Sequence, residues 1–445
     1  MLAMYRRLLR VCLLQISLLQ IAQGAWAKEQ VPTFHKEVSR ILHEHCAACH
    51  RADEVGPFPL LTYDDARKRA SLIREVVTSR TMPPWKPDAD HGEFLEDRRL
   101  TDSQIETLSR WAQAGAPEGD RRDAPPPPRF PTGWQLGKPD LILKMPEAFS
   151  VPAEGRDVYM HFVFPLNLTQ EVYLRGIECR PGNRKVAHHA VGIIDTSGNA
   201  KKLDEKHEGP GYPGYGPGFI PAGFTPGYAP GQTPRFFHED TAITLKPGSD
   251  FVLQMHYHPI GKVERDQTEI GLYFTKKKPE RGMVMVMLAS EEIDIPAGEK
   301  EYRASDQFTL PVDMEVRDVW AHMHCIGKTV TVTATLPDGK KRQLLRISDW
   351  DFNWQDVYLY KQRFSLPRGT IVRADWTWDN SAENPRNPFS PPRRIRQGEG
   401  STDEMSGLIV GGVANSWVAE IIHWAAVVGH YLEVASKGQK YKARP

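Results

Sequence analysis

Cys46-Ala47-Ala48-Cys49-His50 places two thiols three positions apart with an imidazole directly after the second. That spacing suits covalent attachment of haem c, in which the thiols add to two vinyl groups and His50 ligates the iron. A zinc or redox reading of the cysteine pair would need a second ligand pair, and the surrounding segment has no further cysteine. Met82, in Arg80-Thr81-Met82-Pro83-Pro84-Trp85, is the only methionine between Met4 and Met145. It is therefore the expected sixth ligand, and a His/Met pair raises the haem potential and suits electron transfer. The rivals are His43, His45 and His91, or an open site; His43 and His45 lie too close to the attachment site to reach the opposite haem face easily.

Further along stand three histidine clusters: His188-His189, His256-Tyr257-His258 and His322-Met323-His324. Alternate residues of a strand share a face, so His322 and His324 can reach one metal ion. Each cluster alone could be a set of hydrogen-bonded core histidines, but their joint density favours metal. Zinc or non-haem iron would call for cysteine or carboxylate, whereas a thioether favours Cu(I), and Met405 in Ser401-Thr402-Asp403-Glu404-Met405 is the nominated sulfur. His256 and His258 share a face, so either can serve as the ligand from the middle cluster.

In this order, His188-His189, Val252-Leu253-Gln254-Met255-His256-Tyr257, His322-x-His324 and Asp403-Glu404-Met405, the chain resembles the ascorbate-dependent copper type II monooxygenases. That family includes the dopamine β-monooxygenases and the peptidylglycine α-hydroxylating monooxygenases, and the resemblance spans roughly residues 139 to 410. It implies that His188, His189 and His256 hold a copper that stores and passes an electron. It also implies that His322, His324 and Met405 form the catalytic set, holding a second copper where O2 is activated and a C–H bond hydroxylated. Ascorbate is the family's reductant; here the haem is expected to replace it partly or wholly, taking electrons from a periplasmic donor and delivering them to the His188/His189/His256 copper. The segment from Cys46 through Gly56-Pro57-Phe58 to Trp85 lies outside the animal pattern and resembles a mono-haem cytochrome c domain, an arrangement seen in bacterial relatives. The chain departs from the peptide-amidating members where they bind a substrate carboxylate: Trp320 stands in place of their arginine, and Gly407 and Ile409 in place of their asparagine and tyrosine. A buried carboxylate without a charged partner is costly, so the expected substrate is a small organic molecule other than peptidylglycine; Trp320 reads equally as an apolar or aromatic substrate face or as plain packing.

Positioning these groups requires several elements. Residues 1–27 read as a signal peptide, with Arg6, Arg7 and Arg10 ahead of an apolar stretch closing on Ala25-Trp26-Ala27, which implies a periplasmic or secreted protein. Residues 28–122 form the expected helical cytochrome c domain, with one helix over 66–79 and another opened by the Thr101/Gln104 capping box. A proline-rich linker, 123–138, follows, and its Pro125-to-Pro128 run is stiff enough to limit how far the haem domain wanders. Period-two alternation then predicts two jelly-roll-like β-sandwiches, 139–280 and 281–445, divided by the basic kink Lys276-Lys277-Lys278-Pro279. Residues 250–258 put Phe251, Leu253, Met255 and Tyr257 on one strand face and Val252, Gln254, His256 and His258 on the other; residues 318–325 set Val319, Ala321, Met323 and Cys325 opposite Asp318, Trp320, His322 and His324. Met283, Met285 and Met287 alternate with valine and read as part of a buried strand rather than a copper-recruiting run. The Gly/Pro-rich stretch 209–231 reads equally as a lid or as a plain surface excursion.

The remaining composition narrows the function. With 57 basic and 56 acidic residues there is no net field for nucleic acid. Residues 413–434 are interrupted by Asn415, Glu420, His423 and His430, so a packed helix is expected there and no stable membrane span. Beyond Cys12 and the attachment pair only Cys179 and Cys325 remain, and no disulfide is assumed between them. The expectation is thus a copper monooxygenase supplied with electrons through haem. A non-catalytic electron-transfer or copper-handling protein on the same scaffold is the alternative.

Overall fold

The computed structural model describes residues 30–442 apart from 53 and 132, with side chains described to residue 438. The expected signal peptide lies outside the described residues. The chain divides into two compact units, one made of 1–83 and 99–128, the other of 84–98 and 129–445.

In the first unit the described regular elements are helices. The helix expected over 66–79 is two: Tyr63–Arg67, opened by a Thr62/Asp65 capping box, and Ala70–Thr78. Asp102–Gln113 begins at the Thr101/Gln104 capping box and ends before Gly115, whose positive φ of 83° glycine adopts without penalty. Phe34, Leu42, Ile73, Leu108 and Trp111 close a small core among these helices.

The second unit holds two β-sandwiches. In the first, a four-stranded sheet (141–144, 269–275, 172–180, 243–245) faces a five-stranded one (212–213, 158–165, 250–257, 187–195, 223–228). Phe251, Leu253, Met255 and Tyr257 point into the core between them, together with Leu174, Ile177 and Leu272. The 209–231 stretch is no plain excursion: its residues Tyr212–Pro213 and Gly223–Tyr228 are the two edge strands of the five-stranded sheet.

The second sandwich pairs the sheet 283–289, 406–414, 314–323, 357–366 with the sheet 302–309, 371–378, 327–335, 341–347. Val319, Ala321 and Met323 enter its core with Val284, Val286 and Leu288, while Met283, Met285 and Met287 occupy the opposite, partly exposed face of their strand. The C-terminal helix Trp417–Lys442 seals the open edge of the sandwich: His423 Nε2 meets the carbonyl of Met285 at 2.9 Å, and His430 meets Asp306 at 2.8 Å.

Two boundaries differ from the sequence expectation. Residues 84–98 leave the helical unit and pack on the second sandwich, where Phe94 bridges Tyr360 at the edge of a sheet and Asp88 accepts from Ser348. The reason is apolar: Phe94 is buried between Tyr358 and Tyr360, with Trp85 set edge-on to Tyr358. The linker is also shorter than 123–138, because the amides of Gln135 and Leu136 already donate to Glu178 in the first sandwich and Arg180 stacks on Trp134. Replacing Phe94 by alanine empties a buried ring site and should destabilise the second unit by about 3 kcal/mol. Leu95→Ala, at an exposed position, should cost less than about 0.5 kcal/mol. Urea denaturation followed by tryptophan fluorescence checks both, and equal losses would contradict the anchoring role of Phe94.

Candidate metal centres

Consecutive strand residues normally face opposite ways, so adjacent His188 and His189 should not share a ligand. A register shift between Ala187 and His189, where the strand 187–195 pairs with 250–257, changes this. The irregularity lets both rings turn to one side, and His189 lies directly across from His256. As a result Nδ1 of His188 and Nδ1 of His256 each stand 3.2 Å from Nδ1 of His189. One donor atom from each of the three lies within 4.8 Å of the others. Lone pairs converging on one point are what a bound cation satisfies, so the donor set fits a metal held through three Nδ1 atoms.

Outer contacts fix these rings. Tyr159 stacks on His256 at 4.2 Å and Phe352 on His188 at 4.8 Å. His256 Nε2 lies 3.2 Å from the Asp157 carboxylate, an ion-pair contact whose angle is too bent for a good hydrogen bond. The other oxygen of Asp157 takes His258 Nδ1 at 2.7 Å. Burial by itself would raise the Asp157 carboxyl, but the contacts from His256 and His258 outweigh it and hold the group well below the usual carboxylate range. His258 is thereby placed outside the cluster, exposed and facing away, so His256 is the residue that joins His188 and His189.

The second set uses the opposite ring nitrogens. His322 Nδ1 donates to Gln355 Oε1 at 2.6 Å, and His324 Nδ1 donates to the Asp403 carbonyl at 3.2 Å, which leaves each Nε2 with its lone pair. The two rings stand 5.0 Å apart at 87°. Met405 is buried two residues beyond Asp403, and its sulfur accepts a hydrogen bond from Tyr215 at 2.9 Å, reaching across from the 209–231 stretch. Trp320 lies flat against His322 with centroids 5.5 Å apart. Two imidazoles and a thioether on adjacent strand ends fit a soft cation such as Cu(I).

In the helical unit, neither Cys46 nor Cys49 forms a disulfide, and burial pushes Cys46 up to about 12. His50 Nδ1 donates to the Phe58 carbonyl at 3.0 Å, leaving Nε2 for a ligand. A side chain at Gly56 would meet the Cys49 carbonyl at 2.6 Å and His50 Nδ1 at 2.9 Å, so glycine alone permits this close turn. These features fit a haem held by thioethers and His50. Met82 sits in the turn after Ala70–Thr78, its amide donating to Val76. His43 and His45 are engaged with the Leu61 carbonyl and Gln104, and His91 belongs to the other unit. Cys179 and Cys325 are both free.

Tyr215, Asp157 and Gln355 escaped the sequence reading because nothing in their local pattern marks them. Glu404 was within the quoted Asp403-Glu404-Met405 motif, but its role as a buried acceptor needs the fold.

No family model matches the chain, and no curated protein matches it. Among solved structures, the infectious bursal disease virus VP2 subviral particle aligns over 62% of this chain and 73% of that one, at 6% identity and a TM-score of 0.18. The PBSX exported protein XepA aligns over 62% and 87%, at 7% identity and 0.17. PBCV-1 VP54 aligns over 64% and 96%, at 9% identity and 0.23. Likeness at this level carries no argument about function.

Two predictions follow from the geometry. Asp157→Asn weakens the hold on His256, so Cu(II) affinity at the His188/His189/His256 cluster should fall by about 10- to 100-fold, as read by competition with a chelator. Unchanged affinity would show that Asp157 is not needed to orient the ring. The second concerns pH. Burial lowers His188 to about 3, His322 to about 4 and His324 to about 3, against 6.5 for the free side chain. Below 6.5 these rings take up protons in the unfolded chain but not in the fold, so metal-free protein should lose stability as pH falls from about 6.5 to 4. Urea titrations at pH 7 and 4.5 should show a smaller loss in His322→Gln than in the parent.

Proposed function

We propose that this chain is an exported, copper-dependent monooxygenase that hydroxylates a C–H bond of a small apolar organic substrate with O2, with electrons supplied through a covalent c-type haem. The observation that carries the reading is the pair of unlike donor sets within one unit: a cluster of three histidines joined through Nδ1 atoms, and a His322/His324 pair at the end of a strand whose neighbour starts at Ser406, directly after buried Met405. His188, His189 and His256 would hold one copper; His322, His324 and Met405 would hold the other. Cys46, Cys49 and His50 would bind the haem, with Met82 as sixth ligand. Bound copper supplies one-electron transfer and oxygen chemistry, and bound haem supplies electrons one at a time.

The protein's own groups do the rest. Gln355 and the Asp403 carbonyl keep the two Nδ1 protons in place, so that both Nε2 atoms stay unprotonated at neutral pH. Burial of His322 and His324 disfavours their charged forms, which keeps them available as ligands. Substrate would lie on a row of partly exposed apolar side chains: Trp320 pairs in register with Ile409, and Ile409 with Met287. Gly407, opposite His322, leaves room beside that ring. No cation stands at these positions, which suits a substrate without a carboxylate. A hydrophobic floor orients such a molecule by shape and excludes water from the reacting bond.

The test is oxygen uptake by the reduced, copper-loaded protein against a panel of apolar and aromatic compounds. Uptake should require substrate, yield one hydroxylated product per O2, and fall to background in Met405→Ile. Cys46→Ala/Cys49→Ala should abolish haem staining on denaturing gels. Substrate-independent behaviour across the panel, with both coppers bound, would favour the non-catalytic electron-transfer reading.

A further inference from the structure

The loop 348–356, between strands 341–347 and 357–366, touches both histidine sets. The ring of Phe352 stacks on His188 at 4.8 Å and 15°, and meets His324 edge-on at 5.7 Å and 80°. The Phe352 carbonyl accepts from Gln355 Nε2 at 2.8 Å, which leaves Gln355 Oε1 for His322. Trp350 donates its indole N–H to the His324 carbonyl at 3.1 Å. His188, His322 and His324 therefore all take support from one loop. Ligating rings keep their orientation only as well as the groups behind them do.

The loop is anchored from outside. Its tip is bonded internally, with the Trp354 amide on the Asp351 carbonyl at 3.0 Å and the Asn353 amide on the Asp351 carboxylate at 3.0 Å. Towards its ends it carries Asp349, Asp351 and Asp356, and it has no lysine or arginine of its own. Segment 84–98 answers those charges. Lys86 lies 3.0 Å from Asp349 and 3.8 Å from Asp351. Arg98 lies 2.9 Å from Asp356 and also donates to the Gly231 carbonyl at 3.1 Å. Asp88 accepts from the Ser348 hydroxyl and lies 3.3 Å from Arg346. Arg386 is a further cation on the loop, bonding Asp349 at 2.7 Å and the Trp350 carbonyl. Near Asp356 stand also Arg235 and Glu96, which pair with each other. The side chains of Lys86 and Arg98 are only 14% and 22% exposed, so their ion pairs are screened less than surface pairs.

We propose that Lys86 and Arg98 are positioning residues for the metal centres: segment 84–98 holds loop 348–356 at both ends, and so sets Phe352 against His188 and His324 and Gln355 against His322. A stretch of sequence that follows Met82-Pro83 and returns to the helical unit at Arg99 thereby completes the donor sets of the β-rich unit. For its function this assignment rests on the copper reading of both sets, whereas the placement of the rings is a property of the metal-free fold.

The experiment uses full-length protein isotope-labelled in histidine, as parent, Lys86→Gln/Arg98→Gln and the charge-keeping Lys86→Arg/Arg98→Lys, all well below their melting temperatures. In the metal-free parent, nuclear magnetic resonance should show His322 as a single tautomer with its proton on Nδ1, the signal being assigned by its loss in His322→Gln. Lys86→Gln/Arg98→Gln should show a mixture of tautomers, and the charge-keeping variant should restore the single one. Lys86→Gln alone, in which Asp349 keeps Arg386, should shift in the same direction and serves if the double variant does not fold. Competition with a Cu(I) chelator should then show a loss of roughly three- to tenfold at the His322/His324/Met405 set in the double variant, against about 10- to 100-fold for Gln355→Leu, which removes the direct support. A single tautomer and parent affinity in the folded Gln variants overturn the proposal. Tautomers that respond as expected in a parent that binds no copper at this set overturn the copper reading and leave the positioning role standing.

Discussion

The second sandwich and the site it carries depend on one buried carboxylate. Glu404 is 1% exposed and accepts from the amides of Ile326 at 2.8 Å, His324 at 3.0 Å and Met405 at 3.2 Å, and from the Trp378 indole at 2.8 Å. Burial pushes its carboxyl up to about 7, while those four donors pull the other way. A buried acid without partners would cost several kcal/mol, and here each contact ties a different part of the site to one point. The end of the His322 strand, the partner sheet through Trp378, and the Met405 turn are all held by that group. Removing it would leave several buried N–H groups without an acceptor, a larger loss than any single bond represents.

From that anchor the turn 399–405 reaches the other sandwich. The Glu399 carbonyl accepts from Tyr159, which stacks on His256, and the Ser401 amide donates to Asp157, which contacts the same ring. Asp403 offers its carbonyl to His324. One short turn thus contacts the supports of both histidine sets. Gly398 and Gly400 make this possible, since a side chain at Gly398 would meet the Asp403 carboxylate at 2.6 Å. The two sets stay chemically distinct because one presents Nδ1 and the other Nε2. That difference follows from which ring nitrogen each neighbour occupies.

Packing of the sandwich edges is the other organising feature. Open β-edges invite association, and the second sandwich covers two of its edge strands with its own chain. The C-terminal helix covers strand 283–289, and residues 84–98 lie along strand 357–366. The second of these draws a segment out of the helical stretch of sequence, immediately after Met82-Pro83, and places it in the β-rich unit.

Alternation alone separated the two faces of residues 250–258 and 318–325, because period two is a property of the extended backbone and needs no partner. The capping box at Thr101 and the stop at Gly115 were equally local. The histidine clusters and Met405 could be nominated from their types and spacing. The strand irregularity that turns both His188 and His189 to one side could not, because it exists only in the pairing with 250–257. The choice of His256 over His258 was also closed to sequence, where both share a face. It follows from the strand ending at Tyr257 and from Asp157, 101 residues away, holding His258 outside the cluster. Phe94 read as part of a helical domain because its neighbours in sequence are helical, and its place was decided by the aromatic pocket of Tyr358 and Tyr360, more than 260 residues further on. What the sequence determined were the properties carried by a residue and its immediate neighbours: period, caps, turns and donor chemistry. What the tertiary structure decided were the contacts made across long separations, since burial and hydrogen-bond partners are set only when distant strands come together.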